Sequence, residues 1–162
     1  MPIQPLHKSH TRGDFDCGEP SLNLYIQTQA RQYNRYGYAD TFVLVEEGQK
    51  DVIGYYAVSP SGVEGALFPE DVHVPNLSIP IVLLGKLAVD NRYQGRGFGE
   101  ELLLHSLKYA VDFASKYPCV AVCLDALNED KRRFYGKYGF ASLSDNPLHM
   151  FITMKAVRKL GL

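Results

Sequence analysis

Residues 81–103 read IVLLGKLAVDNRYQGRGFGEELL, and this stretch decides the fold. Its first ten residues, 81–90, form a nearly continuous apolar run of strand length, which predicts a strand buried on both faces. Residues 97–116 place their apolar side chains on one helical stripe and therefore predict a long amphipathic helix. The buried strand thus leads through the turn 94–99 into the helix, an order that indicates an α/β fold.

The turn between these two elements, QGRGFG, contains glycine at positions 95, 97 and 99. Without Cβ atoms, successive backbone N–H groups can converge there, and the N-terminus of the helix adds partial positive charge, so the turn is suited to a phosphate group. The dinucleotide fingerprint needs a different glycine spacing, and the nucleotide-triphosphate loop needs Gly-Lys-Ser/Thr. We therefore predict a pyrophosphate-binding turn; the alternative is that the glycines only allow a tight connection.

The remaining sequence predicts alternating helices and strands. Helices are expected over 20–33 and 129–138, and strands over 41–47, 52–58, 119–124 and 151–155. Residues 59–80 contain four prolines and are expected to form a connection. Together these elements predict an α/β (α+β) fold in one domain, 1–162, with a mixed central sheet flanked by helices.

Composition excludes several classes of protein. With 46% hydrophobic and 22% charged residues, the chain is neither disordered nor fibrous. Its longest apolar runs fall well short of the roughly 20 residues of a membrane span, and its N-terminus lacks the apolar core of a signal peptide, so a cytoplasmic location is expected. The five histidines and three cysteines show no metal-ligand spacing, and no metal is expected.

Charge is distributed unevenly along the chain, although the formal net charge is only -1. Residues 131–162 contain seven of the 17 Lys and Arg residues but only one of the 18 Asp and Glu residues. Such a split suggests an anionic partner for one face, or it cancels once the chain is folded. We predict that the basic run Lys131, Arg132 and Arg133 binds such a partner, RNA in particular.

Residues 84–103 resemble motif A of the GCN5-related N-acetyltransferases (GNAT), in which Gln94, Gly97 and Gly99 occupy the expected positions. Further along, Asn128 followed by Tyr135 resembles motif B of the same family. The resemblance covers about residues 40 to 155. It implies that acetyl-CoA is the co-substrate and that an acetyl group is transferred to a primary amine.

The same resemblance implies roles for individual residues. The acetyl-CoA-binding residues would be Leu87, Ala88, Val89, Gln94, Gly95, Arg96, Gly97, Phe98, Gly99, Asn128 and Tyr135. The backbone N–H of Val89 would stabilise the oxyanion, and Tyr135 would protonate the leaving thiolate. The alternative for Tyr135 is an ordinary core aromatic. No general base stands out, because Asp125, Glu129 and a water relay all stay open.

The N-terminal segment FDCGEPSLNLYIQTQA resembles the opening of toxin-type GNAT enzymes of bacterial toxin-antitoxin systems. Matching positions are Phe15, Cys17, Gly18, Leu22, Asn23 and Ala30, whereas Tyr25 stands where Trp is usual. This resemblance implies acetylation of the α-amino group of aminoacyl-tRNA, which blocks translation. It also implies a small DNA-binding antitoxin as partner and a possible homodimer.

Two other functions compete with this hypothesis. In one, the enzyme acetylates a small-molecule or protein amine, and the basic residues near Tyr135 serve only the phosphates of CoA. In the other, the chain is a CoA-binding module without turnover, which would require that no proton donor is present.

Overall fold

The structure is a computed structural model that describes residues 1–162. Seven strands form one sheet with the order β1-β2-β3-β4-β5-β7-β6. The strands are β1 (Ile3–Pro5), β2 (Asp40–Leu44), β3 (Gly54–Glu64), β4 (Ser78–Val89), β5 (Ala121–Asp125), β6 (Ala141–Ser142) and β7 (His149–Thr153). β4 and β5 are parallel, whereas the β1/β2, β2/β3, β5/β7 and β6/β7 pairs are antiparallel. The predicted mixed sheet is therefore confirmed.

Five α-helices accompany the sheet. They are α1 (Pro20–Leu24), α2 (Ala30–Arg35), α3 (Phe98–Ala114), α4 (Glu129–Gly136) and α5 (Met154–Arg158). A π-helical segment, Tyr25–Gln29, joins α1 to α2, so the helix predicted over 20–33 is continuous but irregular. Pro20 occupies the first turn of α1, where its missing N–H costs nothing. None of the helices combines the length and the apolar character needed to cross a membrane.

The connection predicted over 59–80 is shorter in the structure, where it spans residues 65–77. β3 continues to Glu64 and β4 begins at Ser78, so both strands extend into this region, with a short 3₁₀ turn at Gly65–Leu67 after β3. Proline was read as a strand breaker, but it removes only a hydrogen-bond donor. The carbonyl of Pro80 still accepts a hydrogen bond from the N–H of Val120 (2.9 Å), so the strand keeps its pairing.

The C-terminal strand predicted over 151–155 is also displaced. β7 ends at Thr153, and α5 begins at Met154. The hydroxyl of Thr153 accepts a hydrogen bond from the N–H of Ala156 (3.2 Å), which makes Thr153 the N-cap of α5. The apolar residues 151–154 conceal this change of structure, because their burial suits either a strand or the start of a helix.

The chain divides into two compact units. The first comprises residues 1–59 and 85–106. Its larger core cluster includes Phe15, Tyr25, Tyr55 and Ala88, and a second cluster surrounds Leu102. The second unit comprises residues 60–84 and 107–162, and its core packs Phe68 edge-on against Phe151 with ring centroids 5.1 Å apart.

Candidate active site

The glycine-rich turn lies in the first unit and has the backbone conformation that only glycine adopts readily. Gly95 has φ +79° and Gly97 has φ +85°, both in the left-handed region. The N–H groups of Gly95, Arg96 and Gly97 have no acceptor within the protein. A turn with unpaired N–H groups at the N-terminal end of α3 can therefore receive an anion, as the sequence predicts.

Gln94 holds this turn in place through its side chain. Its Nε2 donates to the carbonyl of Val89 (2.8 Å), to the carbonyl of Cys17 (3.2 Å) and to Oδ1 of Asn91 (3.1 Å). The side-chain amide is thus hydrogen-bonded within the protein. A contribution of Gln94 to donor binding would then come from its backbone and from the shape that it imposes on the turn.

Asp90, which the sequence analysis did not select, is the buried carboxylate of this region and is 1% exposed. It accepts hydrogen bonds from the backbone N–H and the guanidinium of Arg92 (2.9 to 3.2 Å) and from the N–H of Asp16 (3.2 Å). Burial by itself would raise the pKa of Asp90, but the hydrogen bonds from Arg92 and Asp16 together lower it. The sequence did contain a signal for this residue, because Asp90 directly follows a buried strand and precedes Arg92 by two residues.

The N-terminal segment is tied to the same loop. The carbonyl of Asp16 accepts from the N–H of Asn91 (2.8 Å), and its carboxylate accepts from Asn23 and from the N–H of Gly18 (both 2.9 Å). The side chain of Asn23 in turn accepts from the N–H of Cys17 (2.8 Å). Three residues that carry the N-terminal resemblance therefore shape the loop that precedes the turn.

Val89 lies at the end of β4, with Leu87 on the same strand face. Both side chains pack against the core cluster around Leu102, whereas Ala88 packs in the other core cluster, so β4 is covered on both faces as predicted. The N–H of Asp90 donates to the carbonyl of Ile53 (2.8 Å), directly before β3. Because successive N–H groups of a strand point to opposite edges, the N–H of Val89 points away from β3.

Tyr135 lies in the second unit, near the end of α4, and is 8% exposed. Its ring contacts Phe134 and Phe140 edge-on, with centroids 5.2 and 5.6 Å away. Its hydroxyl group has no protein hydrogen-bond partner, yet it is not sealed from solvent. Burial raises the pKa of Tyr135 to about 12, so the phenol is a proton donor at neutral pH.

Asn128 is the N-cap of α4, since its Oδ1 accepts from the N–H of Lys131 (3.0 Å). The basic run that follows is partly neutralised on the helix itself. Arg132 pairs with Glu129 (2.7 Å), and Arg133 pairs with Asp130. These pairs lie three residues apart on one helix, a spacing that the sequence analysis overlooked. They also engage Glu129, which was one of the candidate general bases.

The predicted site residues are therefore divided between the two units. Residues 87–89 and 94–99 belong to the first, and Asn128, Tyr135 and the basic run 131–133 to the second. No group of three or more His, Cys, Asp or Glu side chains is placed to hold a metal ion.

Comparison with known proteins identifies the family. A family model described as the acetyltransferase (GNAT) domain matches residues 37–142. A tRNA-acetylating toxin of Mycobacterium tuberculosis (strain ATCC 25618 / H37Rv) is 34% identical over 148 residues, which are 90% of this chain and 87% of that protein.

Two solved structures are similar over almost the whole chain. AtaT complexed with acetyl-methionyl-tRNAfMet is 28% identical, with a TM-score of 0.91 and 99% of each chain covered. A mutant AtaT toxin bound to the C-terminus of the antitoxin AtaR and acetyl-CoA is also 28% identical, with a TM-score of 0.83 and coverage of 98% and 96%. The fold, the glycine-rich turn and the family match lead to one conclusion: the chain belongs to the GNAT family of acetyltransferases.

Proposed function

We propose that this protein transfers the acetyl group of acetyl-CoA to the α-amino group of an aminoacyl-tRNA and thereby blocks translation as a toxin. The transfer chemistry follows from the family. The acceptor is supported by a relative known as a tRNA-acetylating toxin and by the AtaT complex with acetyl-methionyl-tRNAfMet. The structural observation that carries the proposal is Tyr135, a protonated phenol whose hydroxyl has no partner within the protein.

Donor binding is assigned to the glycine-rich turn and to the end of β4. The free N–H groups of Gly95, Arg96 and Gly97 would bind the pyrophosphate of acetyl-CoA, with the N-terminus of α3 adding partial positive charge. A side chain at position 95 or 97 would oppose the positive φ angles that the turn requires. The backbone of residues 87–89 and the side-chain amide of Asn128 are assigned to the pantetheine arm.

Three groups would act during the reaction. The neutral amine of the acceptor forms the new C–N bond while the C–S bond breaks. The N–H of Val89, which points away from β3, donates to the carbonyl oxygen as negative charge develops there. Tyr135 passes its proton to the leaving sulfur.

A proton relay explains how a phenol of raised pKa can serve a thiolate. With a pKa of about 12, Tyr135 is a weaker acid than a thiol, whose ordinary pKa is about 8.5. Tyr135 must therefore regain a proton as it gives one up. The amine nitrogen releases a proton when the amide forms, and water can return this proton to Tyr135, so no carboxylate base is required.

The alternative acceptor is a small-molecule or protein amine, without a toxin role. The ion pairs of Arg132 and Arg133 favour this alternative in one respect, because they leave Lys131 as the unpaired cation of the run 131–133. In that case Lys131 would serve only the phosphates of acetyl-CoA. The non-catalytic alternative is disfavoured, because it requires that a proton donor is missing.

Cellular context follows from the same proposal. Aminoacyl-tRNA is used in the cytoplasm, so we assign the protein to that compartment. An antitoxin that binds the toxin and DNA is the proposed partner, supported by the AtaT complex with the C-terminus of AtaR. A homodimer stays a prediction.

The test is a product assay. The purified protein is incubated with acetyl-CoA and a mixture of aminoacyl-tRNAs, and the aminoacyl groups are released and analysed by mass spectrometry for N-acetylation. Uncharged tRNA, a polyamine and a lysine-containing peptide serve as comparison acceptors. An N-acetylated product is expected only from the aminoacyl-tRNAs; acetylated polyamine or peptide without this product would establish the alternative acceptor.

A further inference from the structure

A cleft of about 540 Å³ lies in the first unit, and no residue of the glycine-rich turn lines it. β1, the residues that follow it, α2 and the start of β2 provide its walls. The lining residues are Pro5, Leu6, His7, Lys8, Arg31, Asn34, Arg35, Asp40, Thr41 and Phe42. None of them was selected as a functional residue, and the proposed mechanism uses none of them.

The cleft is strongly basic. Lys8, Arg31 and Arg35 line it together with one carboxylate, Asp40, whose Oδ1 accepts from the amide of Asn34 (2.8 Å). The ion pairs of the structure involve other arginines and one histidine, so these three cations are not neutralised within 4 Å. The chain as a whole is nearly neutral, which makes this local excess of positive charge unusual.

A further arginine adds to the positive charge. The Arg12 guanidinium donates to the carbonyl of Ile26 (3.0 Å) and has a lowered pKa, first because of burial and second because of the nearby Arg31. Like charges gathered in this way repel one another, and a bound anion would relieve the repulsion.

Three tyrosines follow on the same segment of chain. Tyr36 and Tyr38 are each 63% exposed, and Tyr33 is 36% exposed. Tyr33 meets Tyr38 edge-on with centroids 5.6 Å apart, and the centroids of Tyr36 and Tyr38 are 5.9 Å apart. Large aromatic rings held against each other at the surface offer flat faces on which other rings can stack.

We propose that the cleft and these tyrosines, together called the α2 surface, bind a single-stranded segment of RNA. Lys8, Arg31 and Arg35 would contact phosphates, and Tyr36 and Tyr38 would stack on bases, which is how single-stranded nucleic acids are commonly bound. An acidic peptide would pair with the cations but would leave the tyrosines unused. This inference rests on the proposed function, since the aminoacylated end of a tRNA is single-stranded.

The α2 surface therefore replaces the basic run 131–133 as the main RNA contact. Lys8, Arg31 and Arg35 have no acidic partner on their own elements, whereas Arg132 and Arg133 do. An ion pair that must break before a phosphate can bind contributes less to affinity than a free cation does.

Binding can be tested without catalysis. A fluorescein-labelled single-stranded RNA of about 12 nucleotides, a length within the range of single-strand sites, is titrated with the full chain at several salt concentrations. Tyr36→Ala with Tyr38→Ala should weaken binding about tenfold or more. Arg31→Ala with Arg35→Ala should weaken it as well and lower the slope of log affinity against log salt by about 1.4, or about 0.7 per lost contact.

The matched control replaces two exposed lysines, Lys108 and Lys116, with alanine. This control changes net charge by the same amount as the arginine pair and should leave affinity and slope almost unchanged. Equal loss in the control and the arginine pair, or unchanged affinity in both test variants, would overturn the assignment. A titration with a poly-glutamate peptide completes the set: tighter binding of the peptide than of RNA would assign the surface to an acidic protein instead.

Kinetics separate this inference from the proposed function. If the α2 surface binds the acceptor, the two test pairs should raise KM for aminoacyl-tRNA about tenfold and leave kcat within about twofold. Acetylation of a free aminoacyl nucleoside should not change. If the unsubstituted protein acetylates tRNA but the variants keep its KM, the α2 surface is wrong while the function stands. If the unsubstituted protein binds the RNA but acetylates no tRNA, the function fails and the binding surface stands.

Discussion

Tyr135 combines two properties that rarely coincide in one residue. Its ring is buried between Phe134 and Phe140, yet its hydroxyl group has no hydrogen-bond partner in the protein. A core tyrosine usually pairs its hydroxyl, as Tyr25 does with Thr41 (2.8 Å) and Tyr55 does with the carbonyl of Leu22 (2.7 Å). This difference supports the proposal that Tyr135 is the proton donor of the reaction.

The substitution Tyr135→Phe should therefore lower kcat at least about tenfold, because it removes the proton donor and keeps the ring. KM for acetyl-CoA should change little, and a thermal melt should show an intact fold. Since the pKa of Tyr135 is raised to about 12, ionisation of Tyr135 should not reduce the rate of the unsubstituted enzyme between neutral pH and about pH 10. Tyr117→Phe, at an exposed position, is the control, and an equal rate in both variants would remove Tyr135 from the mechanism.

Asp90 is the residue through which the N-terminal segment supports the glycine-rich turn. Its buried carboxylate accepts from Asp16 on one side and from Arg92 on the other, directly after β4. Because its pKa is lowered in the folded protein, its contribution to stability is complete above its ordinary pKa of about 3.9 and is lost as pH falls through the lowered value.

The substitution Asp90→Asn should destabilise the protein by about 2 kcal/mol at neutral pH, since hydrogen bonds to a charged acceptor are lost. Urea unfolding of both proteins at about pH 7 and about pH 3 checks the sign: the difference should shrink at the lower pH, where the carboxylate takes up a proton in the unfolded chain, whose pKa is the ordinary value of about 3.9. A difference of the same size at both pH values would show that charge on Asp90 is not the cause.

At the level of elements, β3 and β4 are longer than the sequence indicates, and residues 65–77 connect them. The N–H of Gly65 donates to the carbonyl of Leu77 (2.8 Å), which brings the two ends of the connection together. A Cβ atom at Gly65 would lie 1.9 Å from the carbonyl oxygen of Pro75. Glycine is thus required here for space and not for a special φ angle.

We expect Gly65→Ala to destabilise the protein by about 3 kcal/mol, because backbone atoms must move to admit the methyl group. Gly13→Ala is the matched control, since a Cβ atom at Gly13 would contact nothing within 4 Å, and its effect should stay within about 0.5 kcal/mol. Urea denaturation of the two variants measures the difference. Equal stabilities of the two variants would show that the backbone around Gly65 and Pro75 moves apart at little cost in free energy.

For the whole molecule, the distribution of charge matters more than its sum. The net charge of -1 provides no long-range attraction for RNA. The uneven distribution along the sequence suggested that the segment 131–162 supplies that attraction, but α4 pairs two of its arginines with its own acidic residues. The unpaired cations of the α2 surface come from the segment of the chain that is acidic overall.

Affinity for a tRNA acceptor should consequently depend on salt through a few local contacts. Between about 50 and about 200 mM salt, kcat/KM for aminoacyl-tRNA should fall about 20-fold, as expected when roughly three phosphate contacts on a single strand are involved. With acetyl-CoA kept saturating, kcat/KM for an aminoacyl nucleoside without phosphates should change less than about twofold. Equal declines for both acceptors would locate the effect of salt in the enzyme and not in RNA binding.

Much of the fold could be predicted because local patterns and burial agree over residues 81–116. There the apolar run, the glycines and the helical stripe each permit one structure, and β4, the turn and α3 are found where they were expected. The predictions failed where one sequence pattern is compatible with two structures. Pro60 and Pro80 suggested breaks in strands that continue through them, and the apolar residues before Thr153 concealed the start of α5.

The sequence by itself determined the mixed α/β fold, the glycine-rich turn and the family, because these depend on residue types at short, regular spacings. Only the tertiary structure decided which polar groups have partners. It showed that the amide of Gln94 is hydrogen-bonded within the protein and that the hydroxyl of Tyr135 is free. It also showed that Arg132 and Arg133 are paired while the cations near α2 are not. The physical reason is that a hydrogen bond or ion pair requires two groups to meet in space, and a sequence leaves open which of the possible pairs form.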